Sequence, residues 1–187
     1  QLAALIRAAH DSPGVICGMP ARTWWLVLFA LDWDTGARAG ELLALRWEWI
    51  AVDGDQWRLD VPPEVRKGGM EGASYRLTPL TIALLSPLRR KSGPILGYAA
   101  GRRPDSYYLW WDVLLLRAGL PADRYHKTQS LRRSFATQLA IGGGDVSAAL
   151  THSDLSLARR SYIDPGQAGR RHGDDMPFHV LELGESG

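Results

Sequence analysis

The chain has 187 residues, 22 Lys plus Arg against 20 Asp plus Glu, and a formal net charge of +2 at pH 7. Its length suits one large domain or two small ones, and its apolar share is enough to bury a core. Cys17 is the single cysteine, which excludes an intrachain disulfide and a thiolate metal cluster.

The basic side chains are overwhelmingly arginine. The near balance of charge permits a nucleic-acid partner without demanding one. The longest apolar run, Trp24 to Leu31, is too short to span a bilayer, and no signal peptide is recognisable. An intracellular location is expected. The chain begins at Gln1 rather than Met, so it reads as a fragment of a longer polypeptide.

Leu2, Leu5, Ile6 and Ala9 recur at helical spacing and predict an amphipathic helix over residues 1–10. Asp11 to Pro20 reads as a Pro/Gly loop. Residues 22–33 are aromatic-rich and predict a buried helix, broken at Thr35-Gly36, with a second helix from about Arg38. The period then changes. Glu48 to Val52, Asp53-Gly54 and Gln56 to Val61 predict a β-hairpin, with Ser74 to Thr78 as a third strand.

Pro79 to Lys91 returns to helix, Pro94 to Ala100 is a loop or short strand, and Asp105 to Ala118 is a helix rich in aromatics and leucine. Ser130 to Ile141 predicts a strong helix ended by Gly142-Gly143-Gly144. Two short helices follow, over Asp145 to Leu150 and Leu155 to Tyr162. Helices, a small antiparallel sheet and helices again predict one mostly helical α+β domain.

Four stretches carry candidate chemistry. In the helix from Ser130, Leu131, Phe135 and Leu139 form the buried stripe, so Arg132 falls at its edge, with a packed stem and a fixed head. Arg38 follows Thr35-Gly36 at a helix start. Glu41, three residues on, can face it and hold its guanidinium. Lys67 sits in a glycine-flanked loop between the hairpin and the third strand. His152 lies in a turn, and Tyr162 on the helix that follows. Taken singly, each of these has an ordinary structural reading.

Taken together, they suit attack on a phosphodiester. Phenol ionises near pH ~10, so a nucleophilic tyrosine needs strong local positive potential. Two arginines over the nonbridging oxygens supply it and stabilise a pentavalent phosphorane. A lysine or histidine can then protonate the leaving alkoxide. No ligand spacing for a metal is present, and neither a metal nor another cofactor is expected.

These residues resemble the catalytic domain of the tyrosine recombinase (phage integrase) family. TGARAGELLALRW is similar to that family's first box, with Arg38 as the first catalytic arginine and Glu41 as the acidic residue after it. SLRRSFAT is similar to the second-arginine box, with Arg132 in that role. LTHSDLSLARRSYIDP is similar to the final box, with His152 at the second histidine position and Tyr162 as nucleophile. RKGGMEGASYRLTPL resembles the hairpin segment whose lysine is Lys67. The resemblance runs over roughly residues 20–165, with its motifs in the family order.

Three positions depart from the family pattern. Gln129 stands three residues before Arg132, where the family usually has histidine, and His126 lies nearby; either can fill that place. Thr151 replaces the glycine before His152. Tyr162 is one residue further from His152 than in many members, and Ser161 holds the commoner spacing.

The resemblance implies an α+β, mostly helical DNA breaking-rejoining domain over residues 1–175 with a small antiparallel sheet. Residues 176–187 form a tail that is either exchanged between protomers or frayed. It implies a site-specific DNA recombinase or integrase of a mobile element, working through a 3′-phosphotyrosyl intermediate without a cofactor. The implied partner is double-stranded DNA, gripped by a homotetramer on two duplexes, and the implied location is cytoplasmic and nucleoid-associated, with no membrane contact. The family's N-terminal core-binding domain is expected to be absent from this piece. Two other readings remain open: a catalytically degenerate DNA-binding homologue, suggested by Gln129 and Thr151, and a helical protein-interaction module anchored by Trp110 and Trp111.

Overall fold

The computed structural model describes residues 1–66, 71–98, 106–123, 131–134 and 136–137. The chain divides into two compact units. One comprises Pro13–Pro104; the other joins Gln1–Ser12 to the chain from Asp105 onward. Helices and a small antiparallel sheet make up the described residues, as the α+β reading requires.

The Pro13–Pro104 unit is built around α2 (Ala21–Thr35). Every residue from Trp24 to Asp32 is buried, so this helix has no polar face. It packs against α4 (Pro79–Leu85), α3 (Ala39–Ala44) and the strands on either side of it in the chain. Trp24 is fully enclosed, and its indole N–H donates to the Leu96 carbonyl at 3.0 Å, which settles the one polar atom of a large apolar side chain. Gly36 ends the helix in the left-handed conformation (φ 56°), and its N–H donates to Asp32 O at 2.7 Å.

Ahead of α2, Asp11 to Pro20 is not a plain loop. Val15–Ile16 (β1) and Met19–Pro20 (β2) pair as a minimal hairpin across Cys17-Gly18. Both loop residues have positive φ, 49° and 77°. Cysteine rarely takes that conformation, so its presence hid the turn. Burial also pushes the Cys17 thiol above its usual range.

The main sheet is β3 (Ile50–Asp53), β4 (Gln56–Val61) and β5 (Ala73–Arg76), antiparallel in that order. Asp53 pairs with Gln56, so the two-residue loop is Gly54-Asp55, with Gly54 at φ 54°. Trp57, Leu59 and Val61 alternate inward along β4. The predicted strand beginning at Glu48 is shorter, because Trp47–Trp49 form a 3-10 turn. The third strand ends at Arg76, which leaves Thr78 as the N-cap of α4, with Pro79 at the first helical position.

The helix predicted over Pro79 to Lys91 stops early. α4 ends at Leu85 and passes into a 3-10 turn, Ser86–Leu88. Pro87 is the cause: it has no N–H to donate and its ring clashes with the carbonyl four residues back.

In the other unit, α1 (Leu2–His10) buries Leu5, Ile6, Ala8 and Ala9 and packs on α5 (Tyr107–Arg117). α5 begins at Tyr107, inside the predicted Asp105 to Ala118. Residues 131–134 and 136–137 are helical, within the predicted Ser130 to Ile141 helix. The helices predicted over Asp145 to Leu150 and Leu155 to Tyr162, and the tail from 176, lie outside the described residues. No helix among the described residues is long and apolar enough to cross a membrane.

Candidate active site

The Arg38 segment is assembled from the end of α2. The Thr35 hydroxyl donates to Leu31 O at 2.6 Å and accepts the Ala37 N–H at 3.2 Å, which turns the chain out of the helix. Gly36 completes that turn. Arg38 is extended (φ −73°, ψ 154°) and forms the N-cap of α3. Arginine has no acceptor to offer the first helical N–H groups, but Glu41 supplies the reciprocal half of a capping box: its Oε2 accepts the Arg38 backbone N–H at 3.0 Å. Its Oε1 accepts from Arg38 Nη1, also at 3.0 Å.

One carboxylate therefore fixes both ends of the same arginine. The Glu41 side chain is 11% exposed and that of Arg38 is 33% exposed. Burial of the carboxylate shields the pair from water more than an ordinary surface pair. Among the described residues Glu41 is the side-chain partner of Arg38. The expected Arg38–Glu41 contact is present in the fold.

Asp34, which no motif singled out, braces this segment. Its Oδ2 accepts the Thr78 backbone N–H at 2.8 Å and the Thr78 hydroxyl at 3.3 Å. The Thr78 and Thr81 hydroxyls lie 3.0 Å apart. Asp34 thus ties the end of α2 to the start of α4, 44 residues on. Burial pushes its carboxyl above the usual aspartate range, and the bonds from Thr78 and Thr81 pull part of the way back. Its Oδ1 is buried with no hydrogen-bond partner among the described residues. The sequence signal was Thr78-Pro79, an N-cap followed by proline at N1, which marks a helix start that needs an acceptor nearby.

Arg132 belongs to the other unit, on the helical residues 131–134. It is 5% exposed, beside Leu131 at 5%, so it is buried more deeply than its expected place at the edge of the stripe. An arginine keeps its charge even when enclosed, so burial holds the head without neutralising it. Lys67, His126, Gln129, His152 and Tyr162 lie outside the described residues. Among the described residues no group of three His, Cys, Asp or Glu side chains is placed to hold a metal ion.

No family model matches the chain, and no curated protein sequence matches it. Solved structures do. The chain is similar to XerH site-specific recombinase bound to palindromic difH substrate in a post-cleavage complex, with a TM-score of 0.63 and 20% identity. That match covers 84% of this chain and 46% of the other. It is also similar to XerH bound to difH substrate in a pre-cleavage complex, with a TM-score of 0.64 and 21% identity, over 88% of this chain and 50% of that one. The chain thus spans about half the length of the structures it matches. By its backbone, the chain has the fold of a tyrosine recombinase catalytic domain.

Proposed function

We propose that the chain is the catalytic part of a site-specific DNA recombinase or integrase that cuts and rejoins double-stranded DNA through a tyrosyl–phosphate bond. The observation that carries this reading is Arg38, held at both backbone and side chain by Glu41 on a fold shared with DNA-bound recombinases. Such a guanidinium is preorganised for a phosphate oxygen and needs no rearrangement when charge builds up there.

Tyr162 gives up its phenolic proton to solvent and attacks the phosphorus; a phenol oxygen–phosphorus bond forms and the bond to the 5′ oxygen breaks. Arg38 and Arg132 take the charge on the nonbridging oxygens. Lys67 or His152 gives a proton to the departing 5′ oxygen, and His126 or Gln129 donates a hydrogen bond to the phosphate. Attack by a 5′ hydroxyl of a partner duplex reverses the steps and reseals the strand, in a homotetramer holding two duplexes. The free energy of the broken linkage is kept in the phosphotyrosyl bond, so the cycle requires no cofactor.

A library of nicked duplexes of randomised sequence tests this. Nicking lets the short 5′ fragment diffuse away, so cleavage traps an SDS-stable protein–DNA adduct. The adduct should map to Tyr162 and vanish in Tyr162→Phe. Failure to capture any duplex would overturn the catalytic reading. Gln129 favours a second reading, DNA binding without cleavage, because glutamine cannot shuttle a proton. That reading predicts tight duplex binding with no adduct.

A further inference from the structure

We propose that the open cleft formed by Trp47, Trp57 and the cationic run Arg89-Arg90-Lys91 is a second anion site, taking phosphates of a nucleic-acid backbone. Neither Arg38 nor Glu41 lines it. Two adjoining clefts, of about 340 Å³ and 550 Å³, share Trp47, Arg89 and Arg90 in their walls.

The cations gather there because Pro87 ends α4. In a continuing helix, three successive side chains would fan out at about 100° steps and face different directions. Here Arg89 leaves the 3-10 turn with an extended backbone (φ −53°, ψ 132°), and all three cations line the larger cleft. The Arg89 guanidinium stacks 5.4 Å from the centre of the Trp57 ring, which orients it without neutralising it. Arg90 and Lys91 are exposed and make no ion pair among the described residues.

The carboxylate on this wall is Glu48, and its charge is already matched. Arg46 Nε donates to it at 2.5 Å and the Gly93 N–H donates at 2.8 Å. The hydrogen bond from Arg46 holds the Glu48 carboxyl below its usual range. The 89–91 run therefore presents an excess of positive charge to an open cleft. Openness, and cations repeated along one wall, suit a polymer with phosphates in series better than a single small anion, which an enclosed pocket would hold. The choice of nucleic acid among polyanions rests on the function proposed above. The anion site itself does not.

The test is reversible binding of the full chain to a short fluorescein-labelled duplex of arbitrary sequence, followed by anisotropy across a salt series. A doubly neutralised variant, Arg90→Gln with Lys91→Gln, leaves Arg89 on its tryptophan and keeps the fold, which circular dichroism checks. The slope of log affinity against log salt should become shallower by about 1.8, at about 0.9 per lost phosphate contact, and by the same amount on every duplex sequence. Inorganic pyrophosphate, titrated against tryptophan fluorescence, is the small-anion arm and should bind far more weakly than the duplex. An unchanged slope in the variant, no duplex binding by the wild type at low salt, or tighter binding of pyrophosphate than of duplex would each overturn the proposal. Covalent capture is not the readout. An unchanged slope in a variant that still binds duplex leaves the Tyr162 chemistry standing, and a missing adduct leaves the anion site standing.

Discussion

Helices α2 and α5 look alike in sequence: TWWLVLFALDW in one, YYLWWDVLLL in the other. Their surroundings differ. α2 is buried without a break from Trp24 to Asp32, in contact with α4, α3 and strands β1, β2 and β5. α5 buries Tyr107, Trp111, Leu114 and Leu115, spaced as one helical stripe, while Leu109, Val113 and Leu116 are 64%, 52% and 78% exposed. Apolar content therefore says that a helix belongs to a core. It does not say how many of its faces the core will cover.

The sharpest way to break this contrast is at the enclosed indoles. Trp24→Ala and Trp111→Ala should each cost about 3–5 kcal/mol, read as a fall in the midpoint of urea unfolding. Trp24 should fall towards the upper end, because its loss also leaves the Leu96 carbonyl without its donor. If Trp111→Ala proved mild, the inner stripe of α5 would not be the equal of α2.

A smaller effect is expected where α2 hands over to α3. Glu41→Ala frees Arg38 at both of its bonds without emptying the core. Adduct formation on a nicked duplex should fall roughly 100-fold, the cost of a misplaced reacting group. Global stability should drop far less than in the tryptophan variants. Equal losses in both measurements would make Glu41 a purely structural cap.

Asp34 gives a pH-dependent version of the same test. Its carboxyl holds a proton more tightly in the folded chain than in the unfolded one. Its contribution to stability is therefore greatest at acid pH and is lost as pH rises through the raised value. Asp34→Asn keeps an acceptor for the Thr78 N–H and cannot ionise. Relative to wild type, the variant should gain stability from pH ~4 towards neutrality. A flat difference across that range would mean that the carboxyl carries no burial penalty. The least effect belongs to the outer face of α5, where Leu116→Gln should stay within about 0.5 kcal/mol of wild type.

What could be read from sequence tracks how local each signal is. The amphipathic spacing of α1, the apolar run of α2, the hairpin around Gly54 and the Arg38–Glu41 pair all depend on residues within a turn or two of each other, and all are present. The Cys17-Gly18 turn was missed because its first residue carries no turn chemistry. The premature end of α4 is legible in Pro87, whose missing N–H outweighs the helical pattern on either side of it. The Asp34–Thr78 brace joins positions 44 apart and has no pattern of its own. The depth of Arg132 likewise depends on what packs over its helix, which a stripe of leucines does not reveal.

The enclosure of α2 also sets the timescale on which its neighbourhood can open. An amide in a helix with no wet face trades its proton for deuterium only when the whole unit comes apart, so the backbone of residues 26–32 should be among the slowest to label. Arg38 hangs from the end of that helix by a single turn. The residue proposed to meet the scissile phosphate is thus anchored to the least yielding part of its unit, and local fraying elsewhere will not move it.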